Sequence, residues 1–280
     1  MKRNKRFGKI SVATLFAGII VGGLLMLAAL GRKESGQTAR TESNLVDAEQ
    51  QNLIEPLVSY VNQVLAELDN ISAERRFLLD QIAEDITERL SQGSEAKMTF
   101  ICTHNSRRSH MSQIWAQTAA YYFGLDKVSS FSGGTEATAC NIRTVAGLRR
   151  AGFSIVAATQ EENPVFLIQF ACDRAPISAY SKIYNSGDNP KEDFVALMCC
   201  SQADRTCPVV EGATSRFAIH YVDPKACDDT EEETSAYDAR CREIACEMFY
   251  IMSRVKNFNR GRENIPVKGL TGIPKGVAGF

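Results

Sequence analysis

Residues 97–124 read KMTFICTHNSRRSHMSQIWAQTAAYYFG, and the segment Cys102–Ser109 inside them joins a strand pattern to a helix pattern. Met98, Thr99, Phe100 and Ile101 lead into the cysteine as a short apolar run. Met111, Ile114, Trp115, Thr118, Ala119 and Tyr122 leave the arginine with helical spacing. Between them stands Cys-x5-Arg-Ser, with Cys102, Arg108 and Ser109 as its fixed points. A thiol at a strand end, followed by a helix start, is placed to attack a tetrahedral oxyanion. The N–H groups of Thr103, His104, Asn105, Ser106, Arg107, Arg108 and Ser109 can converge on an anion, and the helix terminus adds partial positive charge. The same field favours the thiolate of Cys102. Arg108 presents a planar fork that matches two oxygens of phosphate or arsenate. A Cys-x5-Arg match alone is common, and on a plainer alternative Cys102 is a strand cysteine and Arg108 a surface charge. The polar loop between a β and an α pattern, with Asn105 and Ser106 available to brace it, favours the chemical role.

Outward from the loop the chain alternates strands and helices. Strands are expected at 98–102, 127–131, 193–199 and 216–221, and helices at 108–123, 141–151 and 229–255. That order predicts an α/β fold, a three-layer, doubly wound, four-stranded parallel sheet with the loop at its carboxyl edge. The segment 153–190, with VFLIQF and YNSGDNP, is expected to be a flap or a substrate-shaping insertion. Before the sheet, Leu53, Leu57, Val61, Val64, Leu65 and Leu68 keep a helical rhythm interrupted by Pro56, and Ser72 caps a second helix through Leu90. These helices form either a hairpin on the catalytic domain or a partner or dimer module; the hairpin is preferred.

CTHNSRRS resembles the signature of the low-molecular-weight protein tyrosine phosphatase superfamily, which includes the thioredoxin-coupled arsenate reductases. The likeness extends over about residues 97–256. SGGTEATACN (132–141) resembles the segment before the family's second helix, and CSQADRTCP (200–208) the redox segment of the reductases. IHYVDPKA (219–226) resembles the loop that carries the general acid. The resemblance implies Cys102 as nucleophile, Arg108 as oxyanion holder, Asp223 as acid, and Cys200 then Cys207 as resolving thiols in a relay reduced by a thioredoxin-like partner. Cys199, next to Cys200, is the ambiguity, and motif register favours Cys200. The chain departs from the pattern at His104 and Arg107 inside the loop, at Gln113 in the following helix, and at Lys225, where the phosphatases carry an aromatic residue. The resemblance therefore implies an arsenate reductase-like enzyme acting on a small oxyanion. The alternative is a low-molecular-weight tyrosine phosphatase, on a phosphoester, whose other cysteines are redox-regulatory. A membrane-tethered oxyanion or redox sensor is the non-enzymatic alternative.

The 280 residues exceed what one small α/β domain needs, and a net charge of −1 provides no global field for nucleic acid. Nine cysteines are spread through strand and helix patterns, which predicts reduced core thiols over a disulfide scaffold. With three histidines (104, 110 and 220) and no Cys/His spacing, neither a metal site nor a cofactor is expected. Lys2, Arg3, Lys5, Arg6 and Lys9 precede an uncharged run from Ile10 to Leu30, long enough to span a bilayer. The sequence thus divides into a membrane anchor or cleaved signal (1–33), a linker and helical segment (34–95), a catalytic domain (96–256) and a Gly- and Pro-rich tail (257–280). An uncleaved anchor with a cytoplasmic N-terminus would place the catalytic domain in the periplasm or exterior; a cytoplasmic face is the alternative.

Overall fold

The computed structural model describes residues 52–263. Helix α1 spans Glu55–Glu67, and Pro56 starts it where the sequence pattern suggests an interruption. A proline in the first turn lacks only an N–H that would have no helical partner. Helix α2 spans Ala73–Ser91, and Ser72 accepts the Arg75 N–H as its cap at 3.2 Å. The apolar faces of both (Leu57, Val61, Val64; Leu79, Ile82, Ile86) are buried.

Strand β1 (Ala96–Cys102) leads through the polar loop into α3 (Arg108–Tyr122), and β2 (Val128–Gly134) into α4 (Ile142–Arg150). After three short strands, β3 (Ser154–Ala157), β4 (Phe166–Gln169) and β5 (Ile177–Ala179), come β6 (Phe194–Met198), α5 (Ser201–Thr206), β7 (Ala213–Ala218) and α6 (Glu233–Glu263). Four strands form a parallel sheet in the order β2-β1-β6-β7, the expected parallel α/β architecture. Helix α3 packs on β1 and β2, while α6 packs on α1, α2, α3 and α4. Six of the seven residues of β1 and all five of β6 are buried, so neither face of these central strands is open to water.

The chain leaves β1 toward β2 on one side and later runs from β6 to β7 on the other. Loops after β1 and β6 therefore diverge at a switch point, where a crevice forms at the carboxyl ends of the strands. Ile101 pairs with Met198, which brings Cys102 and Cys199 to neighbouring strand ends.

Two features differ from the sequence pattern. Segment 153–190 folds into an antiparallel sheet, β3-β4-β5, and Ile183 forms a bridge with Gly134 at the end of β2. Helix α6 continues to Glu263, beyond the expected start of the tail at 257.

The expectation of a membrane-anchored catalytic domain facing the periplasm or exterior is overturned. Among the described residues no helix is long and apolar enough to cross a membrane. Helix α6 has 31 residues, but Arg240, Glu243, Glu247 and Arg254 interrupt any apolar run along it. The run 10–30 on which the expectation rested lies outside the described residues.

Candidate active site

The loop after β1 turns its carbonyls outward. Cys102 O accepts from Thr135 N at 3.1 Å, Thr103 O from Glu136 N at 2.8 Å, and Ser106 O from Asn141 N at 3.0 Å. His104 O accepts from the Ser181 hydroxyl at 2.8 Å and the Thr138 hydroxyl at 3.2 Å. Among the described residues no protein acceptor takes the N–H of Thr103, His104, Asn105, Ser106 or Arg107. The Arg108 and Ser109 N–H groups lie in the first turn of α3, where a helix offers no acceptor. Seven consecutive donors are thus left for an anion. Gly134 permits this approach, because a Cβ there would lie 2.7 Å from Thr103 O and 2.2 Å from Glu136 O.

Asn105 sits at the sharpest point of the loop, in the left-handed region at φ 43°, a conformation Asn tolerates better than most residues. Its hydrogen bonds fix the polarity of the site. The Lys182 backbone N–H donates to Asn105 Oδ1 at 3.0 Å, so Nδ2 faces the other way and donates to Ser109 Oγ at 2.9 Å. With Ser109 Oγ already accepting, its own hydrogen is available to Cys102 Sγ at 3.1 Å. Behind this relay lies a fully buried imidazole, His110, with Nδ1 3.3 Å from Ser132 Oγ and no partner for Nε2. Burial pushes it down to about 3, and the charge of Lys182 adds to the effect. Lys182 is itself pushed down to about 8 by burial, against a smaller upward pull from Cys140.

Arg108 donates to Asp223 Oδ2 at 2.6 Å and to Tyr221 O at 3.0 Å. Asp223 caps the short turn Pro224–Cys227, accepting the Lys225 N–H at 3.1 Å. Cys102, His104, Ser106, Arg107, Arg108 and Asp223 line one small cleft. Arg107 is held at its rim by Tyr237 OH at 2.8 Å and Asp228 Oδ2 at 3.5 Å. The Tyr221 carbonyl that steadies Arg108 is held from below. Its phenol donates to Glu247 Oε2 at 2.6 Å, and Arg75 grips the same carboxylate with two bonds of 2.6 and 2.8 Å.

Of the other thiols, Cys200 Sγ lies 3.4 Å from Thr103 Oγ1, at the wall of the loop, and accepts the Ala203 N–H at the start of α5. Cys199 Sγ faces Ser112 Oγ at 3.8 Å, inside the core. Burial drives its thiol well up, and Cys102 adds to this. Cys207 closes the far end of α5, and all nine cysteines are free thiols.

The structure therefore brings together Cys102, the loop 103–109 and Asp223, sets Cys200 against that loop, and keeps Cys207 apart. Among the described residues no cluster of His, Cys, Asp and Glu is arranged to hold a metal ion. Sequence reasoning passed over Ser181, Lys182, Tyr237, Asp228, Tyr221, Glu247 and Arg75. Ser181, Lys182, Tyr237, Asp228 and Tyr221 reach the loop or its arginines, while Glu247 and Arg75 act one step back by holding Tyr221, and their meeting with one another is not marked by any local spacing.

No family model matches the chain. The arsenate reductase of Bacillus licheniformis is 28% identical over 165 residues, 59% of this chain and 96% of that protein. The arsenate reductase of Bacillus subtilis is 29% identical over 144 residues, 51% of this chain and 85% of that protein. Among solved structures, a low-molecular-weight phosphotyrosine phosphatase from Vibrio cholerae is similar at a TM-score of 0.38 and 12% identity, covering 61% of this chain and 99% of that one.

Proposed function

We propose that this chain, a member of the low-molecular-weight protein tyrosine phosphatase superfamily on its arsenate reductase branch, reduces a small oxyanion of the arsenate type through a three-thiol relay. The observation that carries the proposal is the placement of Cys200 Sγ against Thr103, at the rim of the loop that holds Cys102. The Cys102 thiolate attacks arsenic(V) in the nest of N–H groups while Arg108 binds two oxygens, and the arsenate hydroxyl that departs takes a proton from Asp223 and leaves as water. The Cys200 thiolate then attacks Cys102 Sγ. The Cys102–As bond breaks, its electron pair stays on arsenic as arsenite, and a Cys102–Cys200 disulfide forms. Cys207 attacks Cys200, freeing the Cys102 thiolate and leaving Cys200–Cys207 for a thioredoxin-like dithiol to reduce. Exposed Lys225 beside Asp223 offers no aromatic wall to a phosphotyrosine ring, which further supports an inorganic substrate.

The phosphatase alternative draws on a different observation. The pairing of Arg108 with Asp223 beside Cys102 contains everything a cysteinyl-phosphate mechanism needs without Cys200 or Cys207. Turnover of Cys200→Ser separates the two. The relay predicts loss of thioredoxin-coupled arsenate reduction with aryl-phosphate hydrolysis largely retained. A wild-type protein that cleaves aryl phosphate and never reduces arsenate refutes the relay.

A further inference from the structure

We propose that Asp204, Arg216 and His220 form a clamp that holds α5 wound and thereby gates transfer of a disulfide to Cys207. Cys200 and Cys207 stand at the two ends of α5. Seven helical steps at about 1.5 Å each separate their Cα atoms by about 10 Å. A disulfide needs about 4.4–6.8 Å, so these two thiols pair only after α5 unwinds.

What resists unwinding comes from outside the helix. Six residues are too few to be stable by themselves. Arg216, on β7, donates through Nη2 to Asp204 O at 2.9 Å, to Cys207 O at 3.1 Å and to Asp204 Oδ1 at 2.5 Å. Two carbonyls at the end of α5, which a helix leaves without donors, are thus capped by one guanidinium. His220, beyond the end of β7, lies with Nε2 3.0 Å from Asp204 Oδ2. Asp204 therefore ties the middle of α5 to two side chains of the neighbouring strand segment, and neither Arg216 nor His220 borders the Cys102 cleft. They are positioning residues for the thiols, acting through helix opening.

The proposal rests on the relay for its biological meaning, though its physical content, closure of Cys200 onto Cys207, is measurable without any oxyanion. In the relay, Cys207 attacks Cys200 Sγ, the Cys102–Cys200 bond breaks, and the electron pair returns to Cys102. With diamide as oxidant, the two thiols lose two electrons and two protons to the azo group, and the same S–S bond forms.

The test uses the reduced full chain, a diamide pulse, alkylation of remaining thiols and peptide mapping of the Cys200–Cys207 bond. Asp204→Ala is expected to form it about tenfold faster than wild type, and His220→Ala about threefold faster. His220→Gln, which retains a donor toward Asp204, is expected to stay near the wild-type rate. Aryl-phosphate hydrolysis and the protection of Cys199 and Cys241, both fully buried, should not change in any variant. Rates within twofold of wild type for both alanine variants overturn the clamp, as does acceleration accompanied by loss of Cys199 and Cys241 protection. If Asp204→Ala does not fold, His220→Ala and His220→Gln decide alone. Arsenate is then added to Cys207→Ser protein. Failure to form Cys102–Cys200 there, with Asp204→Ala still fast, refutes the oxyanion relay while supporting the clamp.

Discussion

Replacing Arg75 by Met should destabilise the fold and loosen the site from a distance. The Glu247 side chain is 4% exposed and accepts three hydrogen bonds, two of them from Arg75, which is 23% exposed. Arg75 also donates to Ile219 O at 2.8 Å and lies over the Tyr221 ring. Burial alone would make the guanidinium easier to deprotonate, and the pairing with Glu247 more than offsets this. Removing one member of a buried ion pair costs about 3–5 kcal/mol, because the other charge stays buried without compensation. A quarter-exposed arginine belongs at the lower end, about 3 kcal/mol. For a domain of this size each kcal/mol lowers Tm by about 2–4 °C, so a fall of about 6–12 °C is expected in calorimetry. Arg75→Met/Glu247→Gln removes the uncompensated charge and should recover to within about 1 kcal/mol of wild type. Because Tyr221 O positions Arg108, kcat/KM for an aryl phosphate should drop about tenfold in the single variant, or about 1.4 kcal/mol of transition-state stabilisation. A single variant melting within 2 °C (about 1 kcal/mol) of wild type, or a double variant no better than the single, refutes this reasoning.

Other perturbations probe the loop itself. Asn105→Ala should lose turnover about tenfold or more and melt lower than Asn105→Gly, since only glycine keeps the positive φ without strain while both lose the bond to Ser109; equal melting points for the two would contradict this. Gly134→Ala should fail to accumulate as folded protein, because its Cβ meets the Thr103 and Glu136 carbonyls at 2.7 and 2.2 Å, and a normal circular-dichroism melt would show that the approach is not needed. Asp223→Asn should reduce turnover about a hundredfold or more if it supplies the proton; turnover within about tenfold of wild type removes it from that role. His110 predicts a pH effect on stability. Its imidazole is held at about 3 against an ordinary 6.5, so the unfolded chain binds the extra proton first as pH falls. Stability should therefore decline from about pH 6.5 toward pH 3, and His110→Gln should flatten that decline in denaturant titrations.

The loop and its flanking elements were legible because strand, polar turn and helix follow one another within Ala96–Tyr122 and each obeys a local rule. The Ser72 cap was legible for the same reason, and the parallel sheet followed from alternation. What escaped was non-local. β3–β5 pair through a register that no single segment encodes, and Ser181 and Lys182 meet the loop only after that sheet is formed. Glu247 reads as one more charge on a long helix until Arg75 and Tyr221 arrive from elements far away in sequence. Pro56 was misjudged as an interruption because a helix start and a helix break use the same residue.

The central claim is that Cys200 resolves an adduct on Cys102. The most direct measurement is a single turnover of Cys207→Ser with arsenate, scored for arsenite released and for the disulfide formed. The relay predicts one equivalent of arsenite and a Cys102–Cys200 bond. Release of no arsenite and two free thiols, in protein that still hydrolyses aryl phosphate, would contradict it.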